Sequence, residues 1–326
     1  MTETLRIEFD RTGGPDVLHP RQVETGTPGP DQVLLRHTAV GVNFIDTYYR
    51  SGLYPIPLPA GLGTEAAGVI EAVGANVVQF APGDRVAYAG GPLGAYSRQR
   101  LIDAAHLVRV PEGIDDEVAA SIMLQGMTVE YLIRRTYPVE TGQTVLWHAA
   151  AGGVGQIAVQ WLTSLGVNVI GTAGSQAKAD IARRLGCRHV IDYSREDIAA
   201  RVREITGGQG VPVVFDSVGK DTFTASLDSL ARRGMLVSFG NASGPVAPFA
   251  PLLLSQKGSL FVTRPKLGDY ISTRAELETS ANALFERVLS GAVKAGPSQR
   301  YQLEDAASAH ADLEARRTTG SLILLP

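Results

Sequence analysis

The chain has 326 residues, 44% hydrophobic and 19% charged, long enough for two domains of ordinary size, each with its own core. Its 30 basic and 33 acidic side chains leave a formal charge of -3 without any block of like charge. That balance argues against a nucleic-acid groove or an anionic membrane surface and for a small-molecule partner. A single cysteine, Cys187, rules out an intrachain disulfide framework and most thiolate-rich metal sites, and it reads as a partly buried small residue.

The amino terminus, Met1-Thr2-Glu3-Thr4-Leu5-Arg6, lacks the apolar core of a signal peptide, and no apolar run reaches 18 residues. No membrane insertion and a cytoplasmic location are the expectations. Up to residue 125 the chain is dominated by short β-like runs such as Gln32–His37, Gly68–Val73 and Asp84–Tyr88, punctuated by proline and glycine. This pattern predicts a compact, β-rich, barrel-like domain, with helices returning near Ile114 to Arg135.

The stretch from Thr144 to Gly174 reads as strand, glycine turn, helix and second strand. Thr144 to Ala149 is an apolar run of strand length. It passes directly into Ala150-Ala151-Gly152-Gly153-Val154-Gly155, and good helix formers follow to Leu165, with Gly166 as the stop. A glycine turn feeding a helix start leaves backbone N–H groups and the positive end of the helix dipole facing a ligand, which suits a pyrophosphate. The motif has alanine in its first slot, and the same glycines could serve only a tight turn; the surrounding βαβ pattern favours the dinucleotide. After the second strand come Ala173-Gly174-Ser175-Gln176-Ala177-Lys178, where an NAD-preferring protein would place a carboxylate for the ribose 2′-OH. Small residues and a lysine there predict NADP(H) instead, the alternative being that Lys178 is a solvated charge on a first helical turn.

Further strand candidates lie at His189–Tyr193, Val211–Val218, Gly234–Gly240 and Ser259–Thr263, which with the first two predict a six-stranded, doubly wound parallel sheet. The tail then changes character, with an amphipathic helix around Arg274–Ser290, a short run at Tyr301-Gln302-Leu303, a helix from Leu303 or Glu304 to Arg316, and the apolar Ser321–Leu325. The expected organisation is a catalytic domain in two parts, residues 1–125 and 265–326, with a nucleotide-binding domain, 126–264, inserted between them. Ser259–Thr263 would be an unprotected edge strand, and this predicts a homodimer through that edge.

Four segments, Gly41–Tyr48, Gly61–Gly68, His148–Gly155 and Phe215–Gly219, resemble the medium-chain dehydrogenases and reductases, and more closely their zinc-free quinone oxidoreductase branch, which includes zeta-crystallin. Val237–Gly244 and Val262–Pro265 narrow the likeness toward bacterial NADPH:quinone reductases. The resemblance implies a Rossmann sheet inserted in a GroES-like catalytic domain. Zinc-dependent relatives carry Cys at the position of Asn43 and His at that of Thr64. This chain has neither, and Glu65 alone cannot complete a four-coordinate site. The six histidines, His19, His37, His106, His148, His189 and His310, show no ligand spacing and read as structural.

Without a metal, hydride transfer needs an acceptor that is already electron-poor, which points to quinones or activated enones. The resemblance implies that Asn43, Tyr48 and Tyr54 border the nicotinamide and the acceptor and could stabilise a developing oxyanion; packing and turn formation are the structural alternatives. It places Thr128 by the nicotinamide ribose, Gly152, Gly153 and Val154 at the pyrophosphate, and Gly174, Ser175, Lys178 and Tyr193 around the 2′-phosphate. Ser217 and Phe239 fall at strand ends. Asn241, Ser243, Phe261, Val262 and Arg264 would line the nicotinamide side, and Arg316 would bind phosphate, clamp the domains or remain a surface charge beside Arg317. Reduction of an enone or 2-alkenal C=C bond is the alternative reaction, and a non-enzymatic crystallin-like or RNA-binding role is the alternative from another class.

Overall fold

Apolar runs of strand length behave differently in the two parts of this chain, because burial on one face or on both selects different sheets. The computed structural model describes residues 3–326, so the reading of Met1 and Thr2 as the start of an N-terminus without signal-peptide character lies outside the described residues. Two compact units are present: one reaches to Met127 and resumes at Tyr270–Leu289 and Ala295–Pro326, the other comprises Thr128–Asp269 and Ser290–Lys294. Relative to the expected limits of 126–264, Ser290–Lys294 is an addition, tied to the second unit by Gln160, whose amide donates to the Lys294 carbonyl at 3.1 Å and accepts from its N–H at 2.9 Å.

The second unit is the predicted doubly wound sheet. Strands β1 (Thr144–Trp147), β2 (Asn168–Ala173), β3 (His189–Asp192), β4 (Val211–Asp216), β5 (Leu230–Ser238) and β6 (Phe261–Thr263) pair in parallel in the order 3-2-1-4-5-6. Helices α1 (Gly153–Ser164), α2 (Gln176–Leu185), α3 (Ile198–Ile205) and α4 (Phe223–Ser229) connect the first five. Val145, Leu146 and Trp147 of β1 are fully buried, as expected of a central strand covered on both faces. Trp147 packs on Phe215 and Phe239 with ring centroids 4.8 and 5.6 Å away. The strand order reverses between β1 and β4, which opens a crevice outside the carboxyl ends of those strands.

Two boundaries differ from expectation. β5 begins at Leu230 rather than Gly234, because Arg232 and Arg233 are absorbed by a register irregularity at Val211/Val213, with Arg233 at φ 61°. β6 begins at Phe261 because Ser259, at φ 57°, still belongs to the turn. A short helix, Leu252–Gln256, lies between β5 and β6.

In the first unit the long strand Gln32–Val42 pairs antiparallel with Glu65–Val73, Gln99–Asp103 and the C-terminal Ser321–Leu325, which in turn runs parallel to Pro297–Gln302. The tail therefore returns to the amino-terminal sheet, and the second unit is inserted within the first along the chain. Arg85–Ala89 and Val108–Arg109 complete the seven strands. A smaller sheet joins His19–Glu24, Glu3–Phe9 and Ala60–Gly61. Helix Asp116–Tyr131 continues into a wider π turn, Leu132–Thr136. The tail helix is split into a 3-10 turn, Leu303–Asp305, and Ala306–Glu314. Among the described residues no helix is long and apolar enough to cross a membrane.

Candidate active site

At the carboxyl end of β1 the chain turns through His148-Ala149-Ala150-Ala151 into α1. Gly152 is the N-cap in an extended conformation (φ -78°, ψ 173°), without a side-chain cap and with no acid in the first turn. The first N–H groups of this 12-residue helix have no carbonyl one turn back to bond, so they and the positive helix end present an anion cradle. A Cβ on Gly155 would collide with the Ala149 carbonyl oxygen and lie 2.8 Å from Ala150 Cα, so only glycine lets the helix approach the turn this closely. The alanine in the motif's first slot is explained by β2. Ala150 is fully buried and its methyl occupies space that Gly171 leaves open, a Cβ there falling 2.8 Å from Ala150 Cβ. These residues fit a diphosphate.

The adenosine end lies after β2. Ser175 caps α2, accepting from the Lys178 N–H at 3.4 Å, and the first turn of α2 holds no acid. The Tyr193 hydroxyl lies over Gly174, where a Cβ would meet it, and the tyrosine is 42% exposed. The nearby Asp192 carboxylate turns toward Ser194, accepting from its hydroxyl at 2.6 Å and its N–H at 3.1 Å. Gly174, Ser175 and the Lys178 N–H thus lie at an acid-free helix start, with Tyr193 over Gly174.

Loops after β4 and β5 are interlocked. The Ser217 carbonyl accepts from the Ala242 N–H at 3.2 Å, and the Val218 carbonyl accepts from the Ser243 N–H and hydroxyl at 2.8 and 2.9 Å. Arg264 donates to the Ser238 carbonyl at 2.9 Å, and Asn241, with its amide oriented to satisfy both ends, accepts from Arg264 at 3.2 Å. Phe239 leans on Trp147. Val262 pairs beside Leu236, but Phe261 stands at the amino end of β6, 57% exposed and away from the carboxyl edge that gathers the others. Thr128 is the first residue of the second unit, half-buried on helix Asp116–Tyr131. Arg316 belongs to the first unit, exposed and at φ 58° beyond helix Ala306–Glu314.

In the first unit Asn43 caps helix Phe44–Ser51. Its N–H donates to Asp46 Oδ2 at 2.8 Å, the backward half of a capping box. Its side chain is held at both ends: Nδ2 donates to Glu65 Oε2 at 2.6 Å and Oδ1 accepts from Gln125 Nε2 at 3.2 Å. Gln125 in turn accepts from the Ser321 hydroxyl at 2.7 Å, which continues the chain of hydrogen bonds from Asn43. Gly52, at φ 83°, ends the helix and folds the chain back, so that the Tyr54 N–H donates to the Tyr48 carbonyl and the Tyr54 ring meets those of Tyr48 and Tyr49 edge-on at 5.3 and 5.7 Å.

Two carboxyls beside Asn43 are fully buried. Burial pushes Glu65 up to about 8, against the opposing hydrogen bonds from Asn43 and the Leu124 N–H. Burial likewise pushes Asp46 up to about 7, against the Asn43 N–H and the Tyr96 hydroxyl. Among the described residues Asp46 Oδ1 has no hydrogen-bond partner, so ionisation would leave part of its charge bare. Sequence reasoning missed Asp46 and Gln125 and weighed Glu65 only as a metal ligand. The spacing of Asp46 three residues after Asn43 was the available signal.

Zinc does not fit this donor set. Asn43 and Thr64 offer no thiolate or imidazole, and both Glu65 oxygens already accept hydrogen bonds. Both nitrogens of His37 and of His310 are engaged, and burial lowers each ring to about 3. Among the described residues no group of three or more His, Cys, Asp or Glu side chains is arranged to hold a metal.

Replacing Gly155 by Ala is expected to destabilise the chain by about 1–3 kcal/mol through backbone displacement, read as a lower urea midpoint; an unchanged midpoint would contradict the close approach. The raised carboxyls set a pH dependence. Unfolded carboxyls titrate at roughly 4, so the stability that Glu65 and Asp46 contribute in their protonated forms is complete below that pH and is lost as pH rises through about 7 and about 8. Thermal unfolding should therefore occur at lower temperature at pH 9 than at pH 6. Glu65→Gln should flatten that slope whatever it does to the absolute level, and equal slopes would refute the assignment.

Two family models match, a zinc-binding dehydrogenase domain over residues 153–280 and an alcohol dehydrogenase GroES-like domain over residues 29–112. The former covers the nucleotide unit rather than Asn43, Thr64 and Glu65, so its description does not bear on the donor set above. Quinone oxidoreductase of Pseudomonas aeruginosa is 55% identical over 98% of this chain and 99% of its own length. The crystal structure of Escherichia coli quinone oxidoreductase complexed with NADPH superposes with a TM-score of 0.97 at 50% identity, covering 99% of this chain and 100% of the other. A 2-haloacrylate reductase of a Burkholderia species is 48% identical over 97% of both chains. The chain belongs to the medium-chain dehydrogenase/reductase superfamily, in its quinone oxidoreductase branch.

Proposed function

We propose that this chain is a metal-free oxidoreductase that passes reducing equivalents from NADPH to quinones. The observation that carries the reading is a dinucleotide cradle with an acid-free adenosine end, in the same chain as a segment, Asn43 to Tyr54, that offers hydrogen-bond donors instead of metal ligands. Full-length likeness to quinone oxidoreductases supports it.

NADPH, when bound, would supply a hydride, which a quinone can accept because its ring is already electron-poor. With a proton from solvent the balanced products are hydroquinone and NADP+. The chain supplies position and electrostatics. Asn43 Nδ2 carries two hydrogens, of which Glu65 takes one, and the other serves the acceptor oxygen together with the Tyr48 and Tyr54 hydroxyls. On the cofactor, Gly152, Gly153 and Val154 hold the pyrophosphate by backbone N–H groups. Gly174, Ser175, Lys178 and Tyr193 would take the 2′-phosphate end, and Thr128 the nicotinamide ribose. Ser217, Phe239, Asn241, Ser243, Val262 and Arg264 would flank the nicotinamide side.

Reduction of an activated C=C bond is the second reading, favoured by the likeness to 2-haloacrylate reductase. Titration with NADPH and NADH, then an acceptor screen with 1,4-benzoquinone, 2-cyclohexenone and 2-chloroacrylate, tests both. Rapid NADPH oxidation with benzoquinone is the expected result. Turnover confined to the alkenes would favour the second reading, and tight NADPH binding without turnover would favour a non-enzymatic role. Lys178→Ala should raise the Michaelis constant for NADPH about tenfold, the loss of one charge-assisted contact, and leave that for NADH nearly unchanged.

The reading further includes a cytoplasmic chain that acts on small molecules rather than nucleic acid, in keeping with its balanced 30 basic and 33 acidic groups. It also includes a homodimer through β6, which pairs only with β5 among the described residues and carries the exposed Phe261 ring. Sedimentation should give twice the chain mass, a persistent monomer being the contrary outcome.

A further inference from the structure

Beneath the phosphate turn of the second unit lies a chain of buried polar side chains that no binding or catalytic role described above uses. His148, Thr172, Asp216 and Ser226 are each at most 1% exposed. His148 follows β1, Thr172 is in β2, Asp216 ends β4 and Ser226 is on α4, so the chain crosses the switch point of the sheet. Its contacts are continuous. The Ala149 N–H donates to Thr172 Oγ1 at 3.2 Å, Thr172 Oγ1 meets His148 Nδ1 at 3.2 Å, His148 Nε2 meets Ser226 Oγ at 3.0 Å, and the Ser226 hydroxyl donates to Asp216 Oδ2 at 2.8 Å.

The chemistry of the groups leaves one direction for every proton. Asp216 is met by donors, the Val218 and Gly219 N–H groups and the Thr222 and Ser226 hydroxyls, so the single Ser226 hydrogen is spent on Asp216 and its oxygen accepts from His148. His148 then carries its hydrogen on Nε2. Burial lowers its pKa, partly offset by the Asp216 charge, so the ring is neutral and Nδ1 is an acceptor. Thr172 accordingly donates to Nδ1 and keeps its oxygen for the Ala149 N–H.

Each end of this chain holds a loop. Ala149 sits at φ 52°, a left-handed conformation that a residue with a Cβ adopts only when its surroundings hold it there. Its carbonyl accepts from the Gly152 N–H at 2.9 Å and is the atom against which Gly155 packs. At the other end Asp216 also accepts from the Val218 and Gly219 N–H groups at 2.8 and 3.0 Å and from the Thr222 hydroxyl. Val218 is the residue whose carbonyl holds Ser243.

We propose that Asp216, Ser226, His148 and Thr172 form a one-way hydrogen-bond relay that couples the loop after β4 to the strained phosphate turn, which makes them positioning residues for the dinucleotide. The proposal rests on the nucleotide reading given above. Because Ala149 is strained, the relay holds the turn open for phosphate before any ligand arrives. Loss of any one hydroxyl releases it.

The test combines the tautomer of His148 with nucleotide affinity. Long-range proton–nitrogen correlation spectra of the intact, nucleotide-free chain should show His148 as the neutral Nε2–H form from pH 7 to 9, and Ser226→Ala should shift it toward Nδ1–H. Ser226→Ala and Thr172→Val should each weaken NADPH binding about tenfold, the scale of one buried hydrogen bond, with a smaller effect on kcat. Ser226→Thr, which keeps the hydroxyl, should restore affinity. Ser229 is equally buried on the same helix, but its hydroxyl bonds the Ala225 carbonyl outside the relay, so Ser229→Ala should leave affinity within twofold. An Nδ1–H tautomer in the parent chain, or equal losses in the Ser226 and Ser229 variants, would overturn the relay. A parent chain that bound no NADPH would sink the functional reading instead, and the tautomer, measured without nucleotide, would still decide the relay.

Discussion

The contact between helix α1 and the turn that precedes it governs the second unit. Gly155 lets the helix backbone close on the Ala149 carbonyl to a distance that excludes any side chain, and this aims the uncapped helix end at the crevice where the sheet order reverses. The residues around it are accommodations of that approach. Gly171 opposite makes room for the Ala150 methyl, Trp147 and Phe215 fill the layer below, and Ala149 accepts a left-handed conformation. Such a turn is stable only when its neighbours over-determine it, and here the backbone bonds of His148 and Ala150 to β4 and β2 do so together with Thr172.

Both units use the same polar device. Within each, buried polar side chains are arranged in sequences that end on a carboxyl. Ser321, Gln125 and Asn43 lead to Glu65; Arg50, His310 and Tyr96 lead to Asp46; and Thr172, His148 and Ser226 lead to Asp216. A buried polar group left unpaired costs more than a paired one returns, so each member constrains the next, and amide flips and tautomers become determined rather than free. At Asn43 the result is a side chain with one orientation. Burial raises Glu65 and Asp46 in these same surroundings.

Much of this was legible along the chain. The six parallel strands, the helix after the glycine turn, the helix with Lys178 in its first turn, and the absence of an acid after β2 all follow from local periodicity and turn chemistry. These act over a few residues and leave a direct trace in the sequence. The return of the tail to the amino-terminal sheet followed from the change of pattern after residue 264. Less legible was β5, whose Arg232-Arg233-Gly234 reads as a turn but is carried within the strand as a pairing irregularity. Phe261, grouped by resemblance with the nicotinamide-side residues, stands at the far end of its short strand because β6 begins only after the turn at Ser259.

The order of elements, the identity of the phosphate turn and the kind of nucleotide expected were determined by residue spacing alone, since a helix cap and a glycine turn are local events. Which polar side chains meet was decided only by the tertiary structure. His148 and Ser226 are 78 positions apart, Gln125 and Ser321 are 196 apart, and no periodicity links them. Their pairing arises because the strands that carry them are laid side by side in a low-dielectric interior, where hydrogen-bond satisfaction, not sequence distance, selects the partner.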